Sequence, residues 1–143
     1  MNLVIGQNLV AQKKYSRALK IFLNLNASNN KDDKILFYLG LIYFELNNFD
    51  KIFYYYNKFL KKNPNSITAL YNLAFLKQST GEIESAKKIY NKLIIKDKNK
   101  VRPYYGLFTL NPNYLNNKEF ENILNLKNNF KNSIFEKGII NYL

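Results

Sequence analysis

Apolar residues recur along the 143-residue chain at the spacing of amphipathic helices, and short polar turns separate the apolar segments. The polar turns include Asn47-Asn48 and Ser79-Thr80-Gly81, because Asn and Gly tolerate the backbone conformation that ends a helix. Ser66, after Asn63-Pro64, provides a cap for the helix that follows. The pattern predicts helices near residues 2–13, 15–27, 33–46, 49–62, 67–80, 83–96, 101–110, 117–131 and 133–142.

The predicted helices repeat in pairs at a constant interval. The step from Gly6 to Gly40 is the same as the step from Gly40 to Ala74. This step also relates three aromatic positions in the second helices of the pairs: Phe22, Tyr56 and Tyr90. We interpret the small residues as points of close approach between the helices of a pair, since a larger side chain would separate them. Helices this short are marginal alone, so the pairs must stack on one another.

These residues resemble the tetratricopeptide repeat, a helix-turn-helix unit whose length of about 34 residues matches the interval between the small residues. The second repeat matches most fully and reads Leu36-x2-Leu39-Gly40-x2-Tyr43, then Ile52-x3-Tyr56, then Pro64. The resemblance implies an all-α fold, a right-handed α-solenoid of stacked antiparallel helix pairs. It covers nearly the whole chain as one domain, with repeats at about 1–32, 33–66, 67–100 and 101–132 and a terminal helix at 133–143. In the fourth repeat, Asn111-Pro112 breaks the register and places a few extra residues in the turn.

The segment from Ile35 to Phe44 is apolar on every side, whereas an ordinary surface helix has a polar face. The repeat pattern assigns Leu36, Leu39 and Tyr43 to the core. The side of each first helix that lines the concave groove in the family then holds the candidate binding residues Phe37, Leu41, Phe44, Tyr71, Phe75 and Tyr105, with Lys34 and Arg102 as polar donors and with Gln78 and Thr109 on the same side. The alternative is that curvature or the terminal helix buries these aromatic side chains.

The groove predicts an interaction scaffold or adaptor that binds another protein, with an apolar peptide or an amphipathic helix as its occupant. Two alternatives remain open. One is a helical repeat that binds nucleic acid through its basic residues, which are dense from Lys87 to Arg102; however, the chain has 20 lysines and only two arginines, and arginine is preferred for bidentate phosphate contacts. The other is an oligomerisation segment of a larger protein, with copies associating through exposed apolar surface.

Composition argues against an enzyme and against a cofactor or metal site. Histidine and cysteine are absent, which removes the commonest general base, the thiolate nucleophile and the common zinc ligands. The carboxylates near predicted helix starts, such as Asp32-Asp33, fit a role in stabilising those ends. The longest apolar run, from Ile35 to Phe44, is too short to span a membrane. We expect a cytoplasmic protein if Met1 is the native start, and an exported or membrane-attached one remains open if the chain is part of something longer.

Overall fold

A computed structural model of the chain describes residues 3–28 and 30–129, and the regular secondary structure in these residues is helical. The helices are α1 (Leu3–Ala11), α2 (Tyr15–Ala27), α3 (Lys34–Glu45), α4 (Phe49–Lys62), α5 (Ile67–Ser79), α6 (Ile83–Lys96), α7 (Val101–Leu110) and α8 (Asn117–Asn129). A short 3-10 turn, Pro112–Tyr114, connects α7 to α8. The described residues therefore form an all-α helical repeat fold, as predicted.

The predicted helix bounds are confirmed in α2, α4, α6 and α7 and differ by one or two residues in α1, α3 and α5. The 3-10 turn was not predicted. It forms because Pro112 suits the first position of a helix and the Asn111 side chain accepts a hydrogen bond from the Asn113 N–H at 2.9 Å. The predicted terminal helix at 133–142 lies outside the described residues.

The turn within each of the first three repeats has one conformation, which recurs at the repeat interval. Lys13, Asn47 and Gly81 have φ angles of 56°, 55° and 80°, in the left-handed region. The residue after each of them donates its N–H to the carbonyl five positions earlier, as in Asn48 to Tyr43 at 3.0 Å. This hydrogen bond closes the end of an α-helix that stops at a left-handed residue. The sequence predicts Asn and Gly at such a position, and Lys13 shows that the fold imposes the same turn on a residue that does not favour it.

Two of the small residues predicted at helix crossings, Gly6 and Gly40, do lie at crossings. A Cβ atom added to Gly6 would lie 2.8 Å from the Phe22 ring, and one added to Gly40 would lie 2.7 Å from the Tyr56 ring. Phe22 and Tyr56 are fully buried, so neither ring can move aside into solvent. The close approach of α1 to α2 and of α3 to α4 therefore requires glycine.

The chain divides into two compact units, Met1–Ala69 and Leu70–Leu143, which we call the N-terminal and C-terminal units. In the N-terminal unit, α3 packs between α2 and α4, which explains why its sequence is apolar on every side. The Tyr38 ring stacks on Phe22 of α2 at 5.0 Å, and the Tyr43 ring stacks on Tyr55 of α4 at 5.6 Å. Neighbouring helices thus cover two sides of α3.

In the C-terminal unit, α6 packs against α7 through Tyr90. A Cβ atom added to Gly106 of α7 would clash with the fully buried Tyr90 ring. Gly106 does not belong to the equally spaced series of small residues, so the pattern did not identify it as a crossing point. The interior of this unit is completed by the buried residues Leu73, Ala74, Leu76, Ala86, Leu93, Val101, Tyr104, Leu107, Leu115, Ile123 and Leu126.

Candidate partner-binding surfaces

The predicted groove residues fall into two groups, one in each compact unit. The N-terminal group consists of Lys34, Phe37, Leu41 and Phe44, all on α3. The C-terminal group consists of Tyr71 and Phe75 on α5 and of Arg102 and Tyr105 on α7. The two groups have different environments.

In the N-terminal group, the Phe37 ring packs against two aromatic rings of α4. Its centroid lies 5.4 Å from that of Phe59 and 6.2 Å from that of Tyr56, both on α4. Phe37 is nevertheless only half-buried, as are Leu41 and Phe44. Phe37 therefore takes part in the contact between α3 and α4 and also reaches the surface, so its ring is not wholly available to a partner.

A polar cavity of about 370 Å³ lies in the same unit, beside the first turn of α3. Its carboxylates already have partners: Asp33 forms an ion pair with Lys62 at 2.7 Å, and Asp32 accepts a hydrogen bond from the Lys34 N–H at 2.9 Å. Lys62 and Asn63 hold the pKa of Asp33 below its ordinary value, chiefly through the hydrogen bond from Lys62. These contacts stabilise the start of α3. Both carboxylates that line the cavity therefore already have a partner within the protein.

In the C-terminal group, Tyr71 and Arg102 lie side by side. The Arg102 guanidinium carbon is 5.9 Å from the centroid of the Tyr71 ring, a cation–π distance. The Tyr71 ring also lies 5.9 Å from that of Tyr90. Burial raises the pKa of Tyr71, Arg102 partly opposes this shift, and Tyr105 adds to it. These contacts bring α5 and α7 together along the predicted binding side.

A chain of hydrogen bonds fixes the other end of the same side. The Tyr90 hydroxyl donates to the Gln78 side-chain oxygen at 2.9 Å, and the Gln78 amide donates to the Thr109 hydroxyl at 3.1 Å. Thr109 in turn donates to the carbonyl of Gly106 at 3.0 Å. Gln78 and Thr109 lie on the same predicted side of successive first helices but not at equivalent repeat positions, since Thr109 is equivalent to Phe75, and the pattern did not predict this contact.

Phe75 lies between these two contacts along α5 and retains 44% exposure, which is high for a phenylalanine. Together these residues form a surface of α5 and α7, which we call the α5–α7 face: Tyr71, Phe75, Gln78, Arg102, Tyr105 and Thr109. Tyr90 supports the face from below, and burial raises its pKa well above the ordinary value. In the sequence pattern Tyr90 is only a core residue, so its hydrogen bond to the face was missed.

Comparison with known proteins identifies the repeats. Two tetratricopeptide repeat family profiles match the chain, one at residues 35–66 and one at residues 55–88. Residues 35–88 of the chain are thus tetratricopeptide repeats. It is also similar to a TPR repeat-containing protein of Methanocaldococcus jannaschii, with 36% identity over 67 residues. That alignment covers 43% of this chain and 21% of the relative's own length.

Tetratricopeptide repeats generally mediate protein–protein interaction, and the family is typically a non-enzymatic scaffold. The described residues contain no group of three or more His, Cys, Asp or Glu placed to hold a metal ion. Among the same residues, no helix is both long enough and apolar enough to cross a membrane. The surfaces that we consider for a partner are the α5–α7 face, the N-terminal group on α3 and the basic residues of α6.

The basic residues of α6 lie outside the core, as predicted. Lys88, Lys92 and Lys96 are exposed, while Ala86, Tyr90 and Leu93 of the same helix are buried. Lys87 differs from the other lysines, because its ammonium lies 3.7 Å from the centroid of the Tyr114 ring. The α6 lysines thus form a solvent-facing row.

Proposed function

We propose that this chain is an interaction scaffold that binds an apolar or amphipathic helix of a partner protein on the α5–α7 face. The observation that carries the proposal is the exposure of Phe75 at the centre of a face whose flanking side chains are fixed. A large aromatic ring left 44% exposed between two anchored contacts has the character of a binding anchor.

The fixed surroundings of Phe75 favour binding. The hydrogen-bonded chain from Tyr90 through Gln78 to Thr109 and the contact of Arg102 with Tyr71 already order these side chains. Binding of a partner would therefore lose less side-chain entropy than binding to a mobile surface. Tyr and Arg are also the residues that most often dominate the energy of protein interfaces.

The chemistry of the α5–α7 face indicates the kind of partner. Along α5, a tyrosine, an exposed phenylalanine and an amide follow one another at Tyr71, Phe75 and Gln78. An apolar side chain of the partner would cover Phe75, while Arg102 would favour an acidic or carbonyl group at one end. An amphipathic helix offers both kinds of group in the required order.

The N-terminal group on α3 supplies a second, smaller apolar surface for a scaffold of this kind. Leu41 and Phe44 are half-buried, and Lys34 is exposed in the first turn of α3. We expect these residues to contribute less than the α5–α7 face, because the ring of Phe37 already packs against two rings of α4.

The experiment compares two phenylalanines of nearly equal exposure. A pull-down from the source cell with mass spectrometry supplies the partner, and calorimetry then measures its affinity for Phe75→Ala and for Phe49→Ala, whose phenylalanines are 44% and 46% exposed. Phe75→Ala should weaken binding by about 2 kcal/mol, or roughly thirtyfold. Phe49→Ala should leave the affinity unchanged. Equal affinity for both variants would refute the α5–α7 face as the binding surface.

Salt dependence separates this proposal from binding of nucleic acid. Contacts to an apolar face should persist as salt rises from about 50 to about 200 mM, whereas phosphate contacts lose affinity steeply over that range. An affinity that falls by orders of magnitude, with Phe75→Ala binding like the parent protein, would favour nucleic acid instead.

A further inference from the structure

The exposed side of α6 carries a row of positive charge with one aliphatic side chain in it. Lys88, Lys92 and Lys96 follow one another at intervals of four residues, which places them about 6 Å apart along the helix axis. Ile95 lies beside Lys92 and Lys96 and is 79% exposed. We call these four residues the α6 stripe. It lies on a helix other than those of the α5–α7 face.

Within the described residues, Lys88, Lys92 and Lys96 form no ion pair. The ion pairs in this part of the chain join other residues: Lys62 to Asp33, Lys77 to Glu82 and Lys100 to Asp97. The acidic residues nearest in sequence have other partners: Glu84 accepts the Tyr114 hydroxyl at 3.5 Å, and Asp97 accepts the Asn99 N–H at 3.0 Å. Like charges four residues apart on a helix repel one another and destabilise it. A bound anionic partner would reduce this repulsion between the lysines of α6.

We propose that the α6 stripe binds an acidic, amphipathic helix of a partner protein. Glutamates or aspartates at intervals of four residues on such a helix would match the spacing of Lys88, Lys92 and Lys96. An apolar residue in the adjacent row would cover Ile95.

The composition of the stripe favours a protein over a nucleic acid. An exposed isoleucine has no polar group for a phosphate and no flat ring on which a base could stack. The stripe also lacks arginine, the residue that binds phosphate in bidentate fashion. One aliphatic side chain is likewise too little apolar surface for stable insertion into a bilayer, which normally needs a whole helix face. An acidic helix with an apolar row satisfies both the lysines and Ile95.

The test uses a fluorescein-labelled helical peptide with glutamate at every fourth position and leucine in the neighbouring row, measured by fluorescence anisotropy. The triple variant Lys88→Glu, Lys92→Glu, Lys96→Glu should bind this peptide about tenfold more weakly or worse. A matched variant, Lys51→Glu, Lys58→Glu, Lys61→Glu, makes the same change of net charge at exposed lysines of α4. It should retain most of the affinity. Equal losses in the two variants would show an effect of net charge alone and would overturn the proposal.

Ile95→Ser tests the apolar part of the stripe without changing any charge. It should lower the affinity for the leucine-containing peptide about fivefold and leave unchanged the affinity for a peptide with alanine in that row. No difference between the two peptides would refute the amphipathic character of the partner.

Two further probes test the competing ligands. An oligouridylate and vesicles that contain phosphatidylserine are titrated under the same conditions as the peptide. Binding of either one that is tighter than that of the peptide, and that is lost in the α6 triple variant, would assign the stripe to phosphate groups and overturn the proposal. Circular dichroism confirms that each variant is folded. All these variants retain Phe75, so the proposal can fail while binding at the α5–α7 face succeeds.

Discussion

The first helices of the second and third repeats, α3 and α5, each place a phenylalanine on the side predicted to bind a partner, but at different positions of the repeat and in different environments. Phe37 of α3 packs its ring against Phe59 and Tyr56 of the following helix. Phe75 of α5, at the position that matches Leu41 of α3, remains 44% exposed. The α3 helix is held by stacked rings on two sides, whereas the contacts on either side of Phe75 on α5 include the hydrogen bond from Gln78 to Thr109 and the cation–π contact of Tyr71 with Arg102.

This difference shows that an apolar position in a repeat does not by itself distinguish a core residue from a binding residue. The deciding factor is how much of the side chain the flanking helices cover. Phe37 meets two rings of α4, while the contacts beside Phe75 join Gln78 to Thr109 and Tyr71 to Arg102. Phe75, which lies between these contacts along α5, keeps 44% exposure.

The largest effect should come from filling the crossing of α3 with α4. Gly40→Leu should destabilise the protein by about 3 kcal/mol, because even a Cβ atom would lie 2.7 Å from the buried Tyr56 ring. Helix propensity alone predicts the opposite sign, since glycine is a poor helix former. Denaturant unfolding measures the change.

Gly81 provides the control for Gly40, because a Cβ atom added there would meet nothing within 4 Å. Its φ of 80° still disfavours other residues, so Gly81→Ala should cost only about 1 kcal/mol. A Gly40→Leu variant as stable as Gly81→Ala would mean that the crossing has room for a side chain.

The second prediction compares the two phenylalanines directly. Phe37→Ala should destabilise by about 2 kcal/mol or more, because it removes two aromatic contacts at the crossing of α3 with α4. Phe75→Ala should change stability by less than about 1 kcal/mol, since 44% of the residue remains exposed in the folded protein. Denaturant unfolding of the two variants measures both changes. Equal losses of unfolding free energy would show that Phe37 and Phe75 contribute equally to packing.

The helices and their turns could be predicted from the sequence, because the polar turns and the equally spaced small residues are local signals. Lys13 could not be assigned its left-handed turn, since lysine does not favour that conformation. Gly106 could not be identified as a crossing point, because its position depends on how α7 packs on Tyr90.

The binding side was predictable only in part. The pattern predicted that Gln78 and Thr109 lie on the same side of successive first helices, but it did not predict the hydrogen bond between them, which joins residues 31 positions apart rather than one repeat interval apart. The environment of Phe37 was not predictable, because α3 is apolar on every side and its pattern is equally compatible with several orientations.

The third prediction concerns the polar contact that joins α5 to α7. A double-mutant cycle of Gln78→Ala and Thr109→Val should give a coupling energy of about 0.5 to 1 kcal/mol, since each substitution removes the same hydrogen bond. The control cycle replaces Thr109→Val with Thr80→Val, whose hydroxyl bonds to carbonyls of the preceding helix turn. Coupling near zero in both cycles would show that Gln78 and Thr109 do not hold the face together.

The smallest effect concerns the first turns of α3 and α5, which are stabilised by different chemistry. Asp33, at the start of α3, forms an ion pair with Lys62, whereas Ser66, before α5, accepts the Ala69 N–H through a hydroxyl that does not titrate. The hydrogen bond from Lys62 lowers the pKa of Asp33 in the folded protein. Its contribution to stability is therefore fully present above the unfolded pKa of about 3.9 and is lost as pH falls through the lower folded value.

Asp33→Asn should consequently be slightly less stable than the parent protein near neutral pH, and the difference should vanish in acid, because both proteins then carry a neutral side chain. Ser66→Ala should show a small loss that does not change over the same range. Thermal unfolding of the three proteins from about pH 2 to pH 7 measures both differences. A gap between Asp33→Asn and the parent that stays constant with pH would mean that the ion pair with Lys62 contributes nothing and that α3 and α5 begin with equally pH-independent contacts.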